Sequence, residues 1–503
     1  MLLRSDTSRA SAERRGKGAQ GSFQGVLAVG SSMARRSSWL LQVGVVVLSI
    51  FSGLSMSFGF RSVSVERWNW IVCSICVVSI VASSSLLNLE SETFVLVSVL
   101  IVILISLLTV PFAIALLLLL AGPVLFSVVD LGPLTLDNAV VVLGSLIALS
   151  ALWLRGGLPW LRGVFALFLY PVMIAVSVVL SGFANGVPWV VPVFRFVSLA
   201  LTVLVAARCS GRVRFAIVRL VLAIGVLSVL VQPIVGFPDA FSDFDGSVRF
   251  GGLFGHPNFA SYVIGSFIVF SVAGKSWRTL DVLLCCAGAV AMLLASSQTA
   301  ILVLVAALSV ALIRYPVRAF ICFVGAFVVV IMVGGTFTSR IAPLMNTWSF
   351  SSSKSGSWRV GQWQSSLDLA RGWNPFGVGW QQTKVLLPDG LGVHSGFVGT
   401  YVELGLFGCF VVSMALCQLM FRLRSSTPAL LVWIYLTLCA VTDPSVFYPS
   451  CVAVGLCLGV QGLCDGGNHN RLESRAVYRR FLGSSGRVCD VPVGDLFLSE
   501  RKV

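Results

Sequence analysis

An all-α integral membrane protein, a polytopic bundle of about 12–14 transmembrane helices with one large extracytoplasmic loop, is what this sequence predicts. Composition is the first reason: 57% of the 503 residues are hydrophobic and 11% charged, with a mean hydropathy of +0.95, against roughly 25% charged in soluble domains. The second is continuity. Runs such as TFVLVSVLIVILISLLTVPFAIALLLLL exceed the roughly 20 apolar residues of a spanning helix, whereas a membrane barrel would show short alternating segments. The third is the placement of charge: basic residues sit in short connectors between apolar runs rather than on one amphipathic face. That placement explains the net charge of +15 as a membrane-orientation signal and argues against a nucleic-acid partner.

Along the chain, residues 1–38 are basic and rich in serine and glycine, the composition of a disordered cytoplasmic tail, and they are too long to precede an ordinary cleaved signal. Residues 39–236 hold the N-terminal transmembrane helices, with apolar runs at 39–60, 68–88, 93–129, 138–154, 163–183, 190–207 and 213–236. The run 93–129 is long enough for two short spans hinged at Pro111, so charge arbitrates. Counted once, it puts the tail, Arg155, Arg162, Arg208, Arg212, Arg214, Lys275, Arg278, Arg314, Arg318, Arg422 and Arg424 on one side, the cytoplasm. Arg61 and Arg67 are the exceptions outside. Residues 237–256 are then a short periplasmic loop. The central helices occupy 257–335, with runs at 257–273, 279–295, 298–313 and 319–335. Residues 336–394 form a large periplasmic loop, too long for a mere connector. Runs at 395–421, 428–442 and 446–463 complete the C-terminal helices before a cytoplasmic tail, 464–503. The 13 cysteines lie almost entirely inside apolar runs. Cys73 and Cys76, in WIVCSICVVSIV, read as packing residues rather than as a disulfide or zinc pair.

The shorter loop and the helix after it, FPDAFSDFDGSVRFGGLFGHPNFASY, hold an external cation, Arg249, among glycines. Asn258 opens a helix there, able to cap it or to bond a ligand. A snorkelling interfacial arginine is an equal reading of Arg249 taken alone, and Asp243 with Asp245 reads as a solvated turn because the rest of a calcium loop is missing. The longer loop carries SGSWRVGQWQSSLDLARGWNPFGVGW. Trp358, Trp363 and Leu367 have the spacing of a short amphipathic helix on a membrane surface, and Arg359 and Arg371 offer guanidinium forks matched to phosphate oxygens. PFGVGW lacks the strand and lysine of a nucleotide loop.

His394 stands where LLPDGLGVHSGFVGTYVELGLFG passes from a glycine-rich segment into an apolar helix. Histidine exchanges a proton near neutrality, which makes it a candidate general base; the alternative is an interfacial cap. Glu403, nine residues on, falls on the opposite face of an unbroken helix, unless Gly396 and Gly399 interrupt it. His256 is a second candidate, and His469, in the cytoplasmic tail, is not. Arg195 and Asp443 interrupt apolar runs near their outer ends, as functional or paired charges do. Gln298 occupies an external tight turn. No cluster of metal-ligating side chains and no cofactor motif stands out.

With these parts in order, residues 190–463 resemble the O-antigen ligase and O-antigen polymerase family of bacterial inner-membrane glycosyltransferases. RFGGLFGHPNFASY is similar to the family's arginine, glycine and Pro-Asn helix start. SGSWRVGQWQSSLDLARGWNPFGVGW is similar to its arginine, tryptophan and Pro-x-x-Gly-x-Gly run, and HSGFVGTYVELGLFG to its histidine and Glu-x-Gly-x-x-Gly segment. Two positions depart: Ser395 replaces the usual asparagine and Gln298 stands where an arginine is common. The resemblance implies transfer of a glycan from a polyprenyl diphosphate carrier in the bilayer to a hydroxyl of a glycan, lipid or protein acceptor, by an inverting reaction without a metal or cofactor. Arg249 and Arg359, helped by Arg371, would stabilise the leaving diphosphate, and His394 would take the hydroxyl proton. Asn258, His256, Trp358, Trp363, Gln298 and Glu403 complete the expected substrate contacts. A transporter or flippase of lipid-linked glycans is the rival, although the repeated halves common in transporters are not evident. A non-catalytic scaffold is the other.

Overall fold

The computed structural model describes residues 111–126, 136–154, 163–242, 248–274, 278–314, 316–318, 320–321, 324, 354–371, 375–387 and 392–464. Outside them lie the runs 39–60 and 68–88, the first part of 93–129, most of 319–335 and both tails. Cys73, Cys76, Arg61, Arg67, Asp243, Asp245 and His469 lie outside them too. Contacts divide the chain at Pro111, and Phe112–Val503 form one compact unit.

Its helices are α1 (Pro111–Leu125), α2 (Leu136–Leu154), α3 (Phe165–Asn185), α4 (Val190–Arg208) and α5 (Gly211–Val235). After the first loop come α6 (Pro257–Ala273), α7 (Thr279–Ala295) and α8 (Gln298–Arg314). Then follow α9 (Lys354–Leu369), the single turn α10 (Thr383–Leu386), α11 (Gly396–Leu423), α12 (Thr427–Cys439) and α13 (Pro449–Cys464). Among the described residues, α2, α3, α4, α5 and α11 are long and apolar enough to cross a membrane, and α1, α6, α7, α8, α12 and α13 are shorter apolar helices. The all-α expectation needs one addition: within the first loop β1 (Phe241–Ser242) pairs antiparallel with β2 (Val248–Arg249), Phe241 opposite Arg249.

A helix that is apolar all round belongs inside a packed assembly, and α6 is buried along nearly its whole length. It packs against α7, α8 and α12. By contrast Leu146 and Leu149 on α2 and Phe410 and Met414 on α11 are exposed, as apolar side chains facing lipid are.

Helix ends collect in two sets, each tied by its own hydrogen bonds. At one end Phe250 N donates to Leu294 O (3.2 Å), Gly396 N to Ala440 O (2.7 Å), and the Thr442 and Thr299 hydroxyls meet at 2.8 Å. At the other end Arg219 grips Asp281 through two bonds of 2.6 Å. There Arg214 donates to Ala206 O at 2.6 Å and to Gln461 Oε1 at 3.1 Å, and Arg318 reaches Gly274 O.

Two local features differ from the sequence expectation. The α9 face that is buried is Gln362, Ser366 and Ala370, while Trp358 and Trp363 are half-buried and Leu367 is exposed. Polar side chains turn inward because Gln362 has backbone partners in the segment before α11. The second is a break in α11 at Gly405, with φ 70° and ψ −168°, a region that essentially only glycine occupies. Phe407 N, which an intact helix would pair with Glu403 O, donates instead to Pro375 O at 3.0 Å. Val402 O and Glu403 O accept from Val378 N (2.9 Å) and Gly379 N (3.0 Å). A Cβ on Gly405 would stand 2.4 Å from Gly377 N, so the backbones touch.

Candidate active site

Asp443 lies in the turn between α12 and α13 and is 1% exposed. Its Oδ2 accepts from Asn258 Nδ2 at 2.6 Å and from the Tyr262 hydroxyl at 2.9 Å. Its Oδ1 meets His394 Nδ1 at 3.2 Å and the Tyr448 hydroxyl at 3.3 Å, and the Arg359 guanidinium stands 3.8 Å from Oδ2. Burial pushes the carboxyl pKa up, but the His394 hydrogen bond and the Arg359 guanidinium outweigh it and hold Asp443 well below the usual carboxylate range. Asp443 is therefore ionised, a buried anion made tolerable by the donors that surround it.

His394 is fixed from two directions. Its backbone is held by α9: His394 N donates to Gln362 Oε1 (3.0 Å), Trp363 Nε1 donates to His394 O (2.9 Å), and Gln362 Nε2 donates to Gly392 O (3.1 Å). Its ring is held by Asp443 and by the Trp358 ring, centroids 5.1 Å apart. A carboxylate at Nδ1 assigns the proton to that nitrogen and leaves Nε2 with the lone pair. The side chain remains 24% exposed, so the imidazole is oriented without being sealed. Ser395 accepts from Val398 N at 3.3 Å as the N-cap of α11; serine and asparagine cap equally well, so the departure noted there preserves the cap.

Arg249, on β2, is 7% exposed. Its Nε donates to Ala295 O at 2.9 Å, and its Nη2 to Asn258 Oδ1 at 2.6 Å. His256 caps α6 by accepting from Asn258 N at 3.2 Å through Nδ1. Its ring packs on Phe241 and Phe259, centroids 4.9 and 5.0 Å away. Burial pushes the His256 imidazole down to about 4, against the upward pull of Asp443 and with help from Arg249, so His256 is neutral near pH 7 and is not a ready proton acceptor.

Arg359 donates from Nη1 to Thr442 O at 2.9 Å, and Gln298 opens α8 next to Thr299, which bonds Thr442. Arg249, His256, Asn258, Trp358, Arg359, Trp363 and His394 thus converge on the Asp443 turn. Two of the expected substrate contacts do not. Arg371 is exposed and pairs with Asp368 at 2.8 Å, because it follows α9 on the side away from the buried Gln362 face. Glu403 is 8% exposed and accepts from the Thr383 hydroxyl; the helix break lies at Gly405, two residues beyond it, and not at Gly396 or Gly399, so the carboxylate is not brought to His394. Arg195 bonds Asn138 at 3.1 and 3.2 Å and faces Asp137 at 3.6 Å, apart from the cluster. Sequence reasoning named Asp443 only as an interruption of a span and missed Tyr262, Tyr448 and Gln362. A lone carboxylate in an apolar run was the available signal. Among the described residues no group of three or more His, Cys, Asp or Glu side chains is placed to hold a metal ion.

The fold and this cluster define a polytopic helical membrane protein with an oriented carboxylate and imidazole pair, flanked by arginine, where helix ends meet. Residues 282–413, from α7 into α11, match the family described as O-antigen ligase, a match that supports a membrane glycan-transferring enzyme. The match contains Gln298, Trp358, Arg359, Trp363, Arg371, His394 and Glu403, while Arg249, His256, Asn258 and Asp443 lie outside it. No curated protein matches the chain.

Proposed function

We propose that this protein transfers a glycan from a polyprenyl diphosphate carrier to an acceptor hydroxyl at the outer face of a bacterial inner membrane, with both termini in the cytoplasm. The placement of basic connectors supports that orientation. It puts the Asp443 cluster outside and the Arg219 and Asp281 pair inside. The observation that carries the chemistry is the 3.2 Å contact between His394 Nδ1 and Asp443 Oδ1, with Arg359 beside it.

His394 Nε2 takes the proton of the acceptor hydroxyl as its oxygen bonds to the anomeric carbon, and Asp443 stabilises the imidazolium that forms. The bond from that carbon to the diphosphate oxygen breaks, and the lipid diphosphate leaves with the electron pair, its added negative charge facing Arg359. Displacement in line inverts the anomeric centre. The donor arrives already activated, so no nucleotide-sugar site is required. On this reading no step needs a metal, and Trp358, beside the imidazole, forms one wall for the reacting sugars.

Reconstitution of the purified protein in liposomes with a lipid-diphosphate glycan and alternative acceptors tests this. A ladder of repeats marks a polymerase and a single addition a ligase. Donor that changes leaflet without being consumed marks a flippase and overturns the proposal, as does labelling of position 394 from the cytoplasmic side.

A further inference from the structure

Two arginines approach Asp443, and they do so differently. Arg359 has a side chain 13% exposed, bonds a backbone carbonyl, and stands 3.8 Å from the carboxylate. Arg249 is more deeply buried and reaches Asp443 through Asn258. The Asn258 amide accepts from Arg249 Nη2 at 2.6 Å and donates to Asp443 Oδ2 at 2.6 Å. Its polarity is fixed: flipping it would set an NH2 against a guanidinium and an oxygen against a carboxylate. Asn258 is itself held at the first turn of α6 by the His256 cap, and Arg249 by the end of α7 at Ala295.

We infer that Arg249 is a positioning residue that acts through Asn258 and Asp443 on the His394 imidazole, rather than a group that touches the diphosphate. This deepens the proposed transfer reaction and rests on it. The cation polarises the amide, which strengthens the Nδ2–H donation to Oδ2, as chained hydrogen bonds do at low dielectric. With Oδ2 committed to Asn258 and Tyr262, Oδ1 is the oxygen turned to His394. An aspartate without that anchor would rotate and present either oxygen, and the imidazole would lose its single orientation. The three links join four residues, from β2, across the start of α6, through the turn after α12, to the start of α11, so three separate pieces of chain must be seated before the base is aimed.

Steady-state kinetics in the liposome assay separates the two roles. Arg249→Met and Asn258→Asp are each expected to lower kcat about 10- to 100-fold with the donor KM within about threefold. The combined variant is expected to be no slower than the slower single variant, since residues acting as one unit are not additive. Arg359→Met serves as the contrast, with a raised donor KM. A raised donor KM with kcat retained in Arg249→Met overturns the inference, and so does additivity. If Arg249→Met does not accumulate, Asn258→Asp, which keeps an acceptor for Arg249, decides alone: an unchanged kcat overturns it. A second readout needs no turnover and so stands apart from the transfer reading. The pH midpoint of diethyl pyrocarbonate labelling at His394, followed by mass spectrometry, reports the imidazole in the presence of its charged neighbours Asp443 and Arg359 and of the neutral His256. It is expected to rise in both variants, because one loses a cation from the chain and the other gains a carboxylate. An unmoved midpoint in both overturns the relay even if the protein transfers no glycan.

Discussion

The two ends of the helices handle buried charge in opposite ways. At one end Arg219 and Asp281 close on each other, 6% and 1% exposed, through paired bonds of 2.6 Å, and Asp281 also accepts from Arg278 N at the start of α7. Each charge there is matched by the other. At the other end Arg249, Arg359, His256 and His394 gather around the carboxylate of Asp443. The difference teaches which end is built for a visitor. A closed pair holds helices together and asks for nothing more, whereas an imidazole still 24% exposed beside a buried carboxylate and two arginines is, on the proposed reading, where an anion is received and a proton moves.

The sharpest way to break that contrast is to remove the imidazole. His394→Ala is expected to lower glycan transfer about 10²- to 10⁴-fold, the span of general base catalysis, with membrane abundance and melting retained; transfer at the normal rate would remove the assigned base. Arg219→Ala tests the closed end. It strands a buried carboxylate, expected to cost roughly 3–5 kcal/mol in thermal melting of detergent-solubilised protein. The paired replacement Arg219→Leu with Asp281→Leu is expected to recover most of that loss, and both variants should transfer normally per folded molecule.

His256 sharpens the comparison through pH. Its imidazole titrates lower in the folded chain, about 4, than its ordinary value of about 6.5, so between those values the unfolded chain binds more protons. Stability is therefore fully present above about 6.5 and lost as pH falls toward 4, by up to about 3 kcal/mol. His256→Asn keeps an N-cap acceptor but removes the titration, and its melting temperature should vary less over that window. Equal slopes for both proteins would show that the buried histidine does not set it. Gly405→Ala forces a Cβ into the backbone of Gly377 and is expected to cost roughly 1–3 kcal/mol, again by thermal melting. Smallest is Arg371→Ala: an exposed pair with Asp368 is worth under about 1 kcal/mol, and transfer should be unchanged within about twofold.

Much of the architecture was legible because hydropathy and helix direction are local signals. Apolar runs mark α2 to α8 and α11 to α13 to within a few residues. His394 and Arg359 were legible as candidates because one is among only three histidines, at the start of an apolar helix, and the other is a guanidinium in a long polar loop. Asp443 was not. Its importance comes from Asn258, 185 positions away, and from Tyr262, 181 positions away, and no periodicity reports such contacts. Glu403 and Arg371 misled for the converse reason: motif position suggests a ligand, while packing gives each a neighbour of its own. The break in α11 was hidden because the run around Gly405 stays apolar; only the approach of residues 375–379 requires it.

That break has a practical meaning for anyone wishing to retarget the protein. The stub Gly396–Leu404, which begins just after the histidine, is clamped at its head by Ala440 O and at its foot by Val378 and Gly379. Grafting a foreign outer loop while keeping the host helix would leave the foot unstitched. A working chimera should exchange residues 375–405 as one cassette.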